Sequence, residues 1–302
     1  MNEEKKMILD MLKEGKITVE QASDLLEAVG KDKSKNNEES FVDKLSTSFE
    51  KIMKKTSETI SNFDFDIDLD SVNIPNIYHI NSQKTENQTK IDDDVNAIEI
   101  DLINGSLDIE RAQENHIMVD EKVYFKNKED QVNDYLNIEV VEDKLIVSVN
   151  ENYKSLDASA NVKLYLGKNI YDSLDINIVN GSVYLSNISG ENANVDLVNG
   201  SIRIDGLNME NVDLSSKAGS IKIFKIVDAK EVNIGTQFGS VVIDTNEFNK
   251  NIKALIKSSS YSIADKFKNK LQTKDGYQVS TNPEESDLDL DIKSAFGRVS
   301  IR

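Results

Sequence analysis

The turn residues of this chain fall on a grid of 19 to 20 residues, and the segments around them repeat one pattern. Three alternating apolar residues lead into a short turn, usually ending in Gly-Ser, and two more alternating apolar residues follow. Ile98, Ile100, Leu102, Gly105-Ser106, Leu107, Ile109 is one copy; Leu174, Ile176, Ile178, Gly181-Ser182, Val183, Leu185 is another. Further copies carry Gly200, Gly219 and Gly239, at steps of 19, 19 and 20 residues from Gly181. Ser259-Ser260 stands in for Gly-Ser one step later, and Gly297 follows 38 residues beyond it. Asp143-Lys144, flanked by Leu136, Ile138, Val140 and by Leu145, Val147, lies 38 residues from both Gly105 and Gly181 and reads as an eighth copy. A fixed period of this length belongs to a solenoid, in which each coil contacts only its neighbours.

Alternation within each copy is the period of a half-buried strand, and the residues are Ile, Val and Leu, which suit a pleated surface. Asn104-Gly105, Asn180-Gly181 and Asn199-Gly200 mark sharp corners where glycine relieves strain. Taken singly, each Asn-Gly between alternating strands signals a hairpin, so a meander of antiparallel hairpins is the rival fold. Hairpins need no constant spacing, whereas coils stacked in register do, which favours a mainly β fold: a β-solenoid of 19–20-residue coils. Ile188, Leu207 and Ile226, each seven residues after a corner glycine, predict a third inward-facing side. One column of inward residues is expected, including Ile98, Ile100, Leu102, Ile176, Ile178, Val195, Leu197, Leu214, Ile221, Ile223, Ile234, Ile243, Ile292 and Ile301. A slip of one residue would turn all of them to water.

The first sixty residues follow another rule. Met7, Ile8, Met11 and Leu12 form one helical stripe, Gly15 breaks it, and Thr18 with Gln21 makes a capping box for a second helix carrying Ala22, Leu25, Leu26 and Val29. A hairpin of residues 1–30 is too small to bury these side chains alone. Met7, Ile8, Met11, Leu12, Leu25 and Leu26 are therefore the candidate partner contact, whether the partner is another protein, another copy, a membrane-active peptide or a membrane surface. Residues 31–40 form a polar linker. Phe41, Val42, Leu45, Phe49, Ile52, Met53 and Ile60 then space as an amphipathic helix over 41–62, expected to cap the solenoid, which takes residues 63–302.

Composition excludes several chemistries. There is no cysteine, so no disulfide, thiolate site or cysteine nucleophile. Residues 1–62 hold 11 Lys against 13 acidic residues, so of the net charge of −18 all but −2 lies beyond them. Such a field repels phosphate backbones and argues against nucleic acid. The acidic N-terminus lacks the layout of a secretory signal and no run is long and apolar enough to span a bilayer, so the expectation is cytoplasmic, with envelope or surface association as the alternative. Asp64, Asp66, Asp68 and Asp70 do not make a calcium loop: the sixth and twelfth positions hold Leu69 and Pro75 where Gly and Glu are needed. The run reads as a strand with one acidic face, as does Asp287, Asp289, Asp291. His79 and His116, the two histidines, have no metal-spaced partner. No nucleophile elbow, Walker loop or dinucleotide fingerprint occurs, and a Gly-Ser repeated at every corner is explained by geometry. The expectation is no catalytic residue, no metal, no cofactor and no enzymatic activity. The solenoid face itself reads as acidic, repetitive and short of aromatic or arginine anchors.

Residues from about Ile98 to Arg302 resemble a bacterial β-solenoid family labelled "putative adhesin". Asn161–Gly190 (NVKLYLGKNIYDSLDINIVNGSVYLSNISG) carries the most specific likeness, with Gly167 where the family usually has proline. Met7–Val29 is similar to the short SHOCT-like helical hairpin with its Gly-Lys-Ile-Thr turn. In this order the parts resemble YvlB/LiaX-type envelope-stress proteins of Gram-positive bacteria. That resemblance implies a regulator or sensor without catalytic residues. The alternatives are a surface adhesin or glycan-binding β-helix and, third, a β-helix carbohydrate enzyme built on paired carboxylates.

Overall fold

A computed structural model describes residues 82–112, 115–125, 132–167 and 170–302. The strands, in chain order, are β1 (Gln83–Ile91), β2 (Ala97–Arg111), β3 (Ile117–Phe125), β4 (Leu136–Val141), β5 (Lys144–Val149), β6 (Ala158–Leu166), β7 (Tyr171–Ser186), β8 (Ser189–Asn199), β9 (Ile202–Asp205) and β10 (Leu207–Ala218). They continue as β11 (Ile221–Ile223), β12 (Ile226–Asp228), β13 (Glu231–Phe238), β14 (Val241–Ile243), β15 (Ile252–Lys257), β16 (Ser260–Ile263), β17 (Asn269–Gln272), β18 (Tyr277–Ser280), β19 (Leu288–Phe296) and β20 (Arg298–Ile301). The fold is a β-solenoid. The proposed helical hairpin (1–30), linker (31–40), amphipathic helix (41–62), Asp/Phe strand and His79 lie outside the described residues.

Each coil runs a first strand segment, turns at the glycine corner, and continues as a second. First segments pair parallel and in register: Ile100 with Ile176, Ile176 with Val195, Val195 with Leu214, Leu214 with Ile234, Ile234 with Ile292. Second segments do the same, as Leu107 with Val183, Val183 with Ile202, Ile202 with Ile221 and Ile221 with Val241. Every member of the expected inward column is buried, and Ile188, Leu207 and Ile226 close a third side of the same core. Burying such a side chain contributes roughly 1.5–3 kcal/mol. An exposed salt bridge such as Lys230–Glu210 contributes about 0–1 kcal/mol. The apolar columns therefore dominate stability.

Stacking order departs from chain order at both ends. β2 lies between the coil of β5 and β6 on one side and β7 on the other. The final coil, β19 with β20, inserts between β13–β14 and β15–β16. Among the described residues eight coils stack, beginning with β5–β6 and ending with β15–β16. Antiparallel strands extend them. On the first side β4 adds to β5 at one end, and β18 then β17 add to β15 at the other. On the second side β3 then β1 add to β6.

The eighth copy read from the sequence is corrected here. Leu136–Val141 and Lys144–Val149 form an antiparallel hairpin, and Leu145 pairs with Ile98, not with a residue after the corner. Glu142, at a φ of 58°, takes the turn. The coil itself resumes at β6 after an inserted turn, with Ala160 at the corner position opposite Gly105. At this one site the rival hairpin reading held, because a hairpin and a coil share the alternation that suggested the copy.

The corners explain the glycines. A Cβ on Gly200 would stand 1.4 Å from the carbonyl oxygen of Gly181, and at Gly105, Gly181, Gly219, Gly239 and Gly297 the corresponding contact with the coil beneath is 1.8 to 1.9 Å. The oxygens met, in spatial order, belong to Ala160, Gly105, Gly181, Gly200, Gly219 and Gly239. This single ladder traces the same non-sequential order as the strand pairing. Ala160 escapes the rule because it is the first rung and faces only the antiparallel β3. The last coil escapes by taking a shorter corner: Lys257 to Ser260 spans what Lys293 to Arg298 spans below.

Candidate functional site

Polar side chains on the coils bond to their copies above and below. Asn180 donates to Asn104 Oδ1 at 2.9 Å and Asn199 donates to Asn180 Oδ1 at 2.8 Å. Beyond Asn199 the same position holds Ala218, then Phe238 and Phe296, whose rings stack at 5.2 Å. One step inward the apolar Ile178 and Leu197 give way to Ser216, Thr236 and Ser294, all buried. Each hydroxyl donates to the corner carbonyl of the coil below, Ser216 to Gly200 at 2.7 Å, Thr236 to Gly219 at 3.3 Å and Ser294 to Gly239 at 3.3 Å. Corner position and shape are thus held from inside and outside.

The outer face of the first side is a lattice of Asp and Asn. Along one column run Glu99, Asp175, Asn194, Asp213, Asn233 and Asp291. Parallel in-register coils place like positions about 4.8 Å apart, where like charges repel. Asparagine between aspartates separates them, and in the next column Asp101 accepts from Asn177 at 2.9 Å while Asp196 accepts from Ser215. The strand reading of Asp289 and Asp291 has its place here: Leu288, Leu290 and Ile292 are buried and these two aspartates face outward, while Asp287 stands in the bend before β19.

The outer face of the second side differs: on a solenoid read as short of aromatic and arginine anchors, it gathers both kinds. Tyr184, Arg203 and Lys222 share one column. The Arg203 guanidinium lies 5.6 Å from the Tyr184 ring centroid and 4.1 Å from that of Phe224, which is exposed. Toward the first coil, Lys163 reaches Glu110 at 3.1 Å and Asp108 at 3.7 Å and lies 5.0 Å from the Tyr165 ring. Desolvation, then the charge of Glu110, lifts the Asp108 carboxyl above the usual carboxylate range. The sequence signal for this face was present: Tyr184, Arg203 and Lys222 are 19 residues apart, on the repeat period. Phe224 lies off that column and only the fold brings it to Arg203.

Glu121 is the exception inside. Its carboxyl is buried in the apolar row of β3 between Val119 and Val123, where Asn87 donates to Oε1 at 2.5 Å and Oε2 has no partner. Burial raises its pKa, the Asn87 hydrogen bond opposes that, and Asp134 adds to it. A small cavity of about 10 Å³, room for one water, lies between Arg111, Tyr171, Asn187 and Ser189. Desolvation holds the Tyr171 hydroxyl at a pKa of about 12. His116 stands in the bend before β3. Among the described residues no group of three or more His, Cys, Asp or Glu is arranged to hold a metal, and no described helix is long and apolar enough to cross a membrane. Of the site residues read from the sequence, the structure places Gly105, Gly181, Gly200, Gly219, Gly239 and Gly297 in one ladder; Met7, Ile8, Met11, Leu12, Leu25 and Leu26 are outside the described residues.

A β-solenoid with a corner-glycine ladder and polar outer columns defines a class of repeat fold, and comparison with known proteins gives its family. The Toastrack DUF4097 family model matches residues 95–302, and the chain belongs to that family. A SHOCT-like domain model matches residues 3–34. No curated protein matches the chain. Among solved structures, a "putative cell adhesion protein" from Clostridium sporogenes is 12% identical, covering 73% of this chain and 98% of that one, with a TM-score of 0.42. A "putative adhesin" from Bacteroides fragilis is 13% identical, covering 73% and 97%, at 0.39. A "putative lipid binding protein" from Parabacteroides distasonis is 12% identical, covering 73% and 97%, at 0.35.

Proposed function

We propose that this protein is a non-enzymatic regulator of the bacterial cell-envelope stress response, of the YvlB/LiaX type found in Gram-positive bacteria. The solenoid is the rigid scaffold and the SHOCT-like module at the N-terminus is the partner contact, acting in the cytoplasm or at the envelope. The observation that carries this reading is the union of a SHOCT-like module with a Toastrack solenoid whose coils are cross-bonded at every corner. Such bonding suits a body that holds its shape, and a tethered module keeps a high effective concentration beside it. The test is to delete residues 1–35, measure folding of the remainder by circular dichroism, and assay an envelope-stress reporter in the host. Loss of the signal with the solenoid folded supports the proposal; a normal signal from the truncated protein refutes it. Fractionation of the host into cytosol, membrane and wall assigns the compartment.

A second reading, a glycan-binding surface, is favoured by the Tyr184–Arg203–Phe224 cluster, since aromatic faces and an arginine are frequent binding anchors. Tyr184→Ala with Phe224→Ala would abolish retention on a cell-wall polysaccharide column if this reading holds.

A further inference from the structure

Among the described residues, each end of the solenoid finishes the first side in a strand with one unpaired edge. At one end of the first side, β4 pairs only with β5 among the described residues; at the opposite end, β17 pairs only with β18. β4 runs against the coil strands and β17 runs with them, so β17 of one molecule laid against β4 of the next makes an antiparallel pair. The ends are also stepped in opposite senses. At the β17 end the first side continues two strands past the last coil, where the second side stops at β16. At the β4 end the second side continues two strands, β3 and β1, where the first side adds one.

Charge separates along the same axis. Residues 250–280 hold seven Lys against Asp265 and Asp275, a surplus of five positive charges on a chain of net −18. Residues 132–157 hold two Lys against six carboxylates, a surplus of four negative charges. Lys268, Lys270 and Lys274 on and beside β17 are exposed, as are Glu139, Glu142 and Asp143 on and beside β4. None of these three lysines has a salt bridge among the described residues, nor have Glu139 and Glu142. Each edge also bares one large apolar side chain, Leu271 at 61% exposure and Val141 at 49%. Lysine on an open edge is a known guard against strand addition. A guard works between copies when both edges carry the same sign; here the two edges carry opposite signs, which draws them together.

We infer that this chain assembles head to tail with further copies of itself, β17 of one molecule pairing antiparallel with β4 of the next. Carrying the sheet columns on without lateral shift sets Asn269–Gln272 opposite Val141–Ile138. Lys268 then faces Glu142, and Leu271 and Val141 share a face as diagonal neighbours, within reach of one another. The contact joins two different surfaces and is therefore heterologous; carried along the stacking direction of the coils it extends the row of coils into an open fibre. This proposal invokes no residue of the N-terminal module, and its failure would leave the proposed regulatory contact standing.

The test is sedimentation of the full chain at rising concentration, with low salt and with about 1 M salt, where screening is nearly complete. The expected result is a weight-average mass at least twice the 33.9 kDa of one chain at low salt, falling to one chain at high salt. Lys268→Glu with Lys270→Glu and Lys274→Glu should abolish assembly. Mixing that variant with Glu139→Lys, Glu142→Lys should restore it. Carbodiimide coupling of isotopically mixed wild-type chains should join Lys268 to Glu142 between copies. Circular dichroism checks that each variant folds, and Lys268→Glu alone, read by sedimentation at low salt, replaces the triple variant if it does not. A chain that stays monomeric, or one whose assembly survives the triple reversal, overturns the inference. So does sedimentation of the monomer with phosphatidylglycerol vesicles through the same lysines, which would assign that end to a membrane.

Discussion

Replacing Gly200 with alanine tests the corner ladder at its tightest rung. The new Cβ would sit 1.4 Å from the Gly181 carbonyl oxygen, less than half an ordinary contact, and the atom it meets is backbone that no rotamer change can move. Gly200 also has a φ of 145°, which L side chains rarely adopt. The coils must therefore part at that corner. Two bonds span that seam: the Asn199 amide to Asn180 Oδ1 at 2.8 Å and the Val183 N–H to the Ser201 carbonyl at 3.0 Å. Each contributes about 1 kcal/mol, and backbone strain of this kind adds about 1–3 kcal/mol, giving a loss of about 3–5 kcal/mol. That is well above the roughly 1 kcal/mol of a Gly→Ala change at an unobstructed positive φ. Gly235 is the internal control: it lies in β13 with nothing within 4 Å of its added Cβ, so alanine there is expected to be neutral or stabilising by up to about 1 kcal/mol. Urea unfolding followed by circular dichroism measures both. Equal midpoints for Gly200→Ala and Gly235→Ala would refute the steric account of the repeat.

Two further outcomes follow from single contacts. Asn180→Asp keeps an acceptor for Asn199 but cannot donate to Asn104 Oδ1, so thermal unfolding at neutral pH should show a loss of about 1–3 kcal/mol. Glu121 has a folded-state pKa raised by burial, so above the unfolded value near 4.5 it costs stability as pH rises toward the folded value, and below that value the cost is absent. Glu121→Gln should accordingly flatten the fall in stability above about pH 4.5, measured by denaturation across the pH range; an unchanged slope would show that Glu121 does not titrate there.

Much of this fold is legible from residues alone. The inward identity of Ile100, Ile176, Val195 and Leu214 follows from alternation, because a strand residue's facing is set by its immediate neighbours in the chain. The need for glycine at the corners follows from the period, although its cause, a carbonyl of the next coil and not only a turn angle, needed the coordinates. The Tyr184–Arg203–Lys222 column was readable on the 19-residue step, whereas Phe224 joins it from outside the register. The order of the coils was not readable. Ile98–Ile109 and Leu290–Ile301 present the same apolar columns and the same corner glycine as the coils they separate, so local pattern makes the coils interchangeable. Their sequence of stacking appears only in the pairing of whole coils, β2 between β6 and β7 and β19 between β13 and β15. For the same reason Leu136–Val149 passed as a coil: alternation specifies a strand and its buried face, while the direction of its partner is settled only when the chain has folded back upon itself.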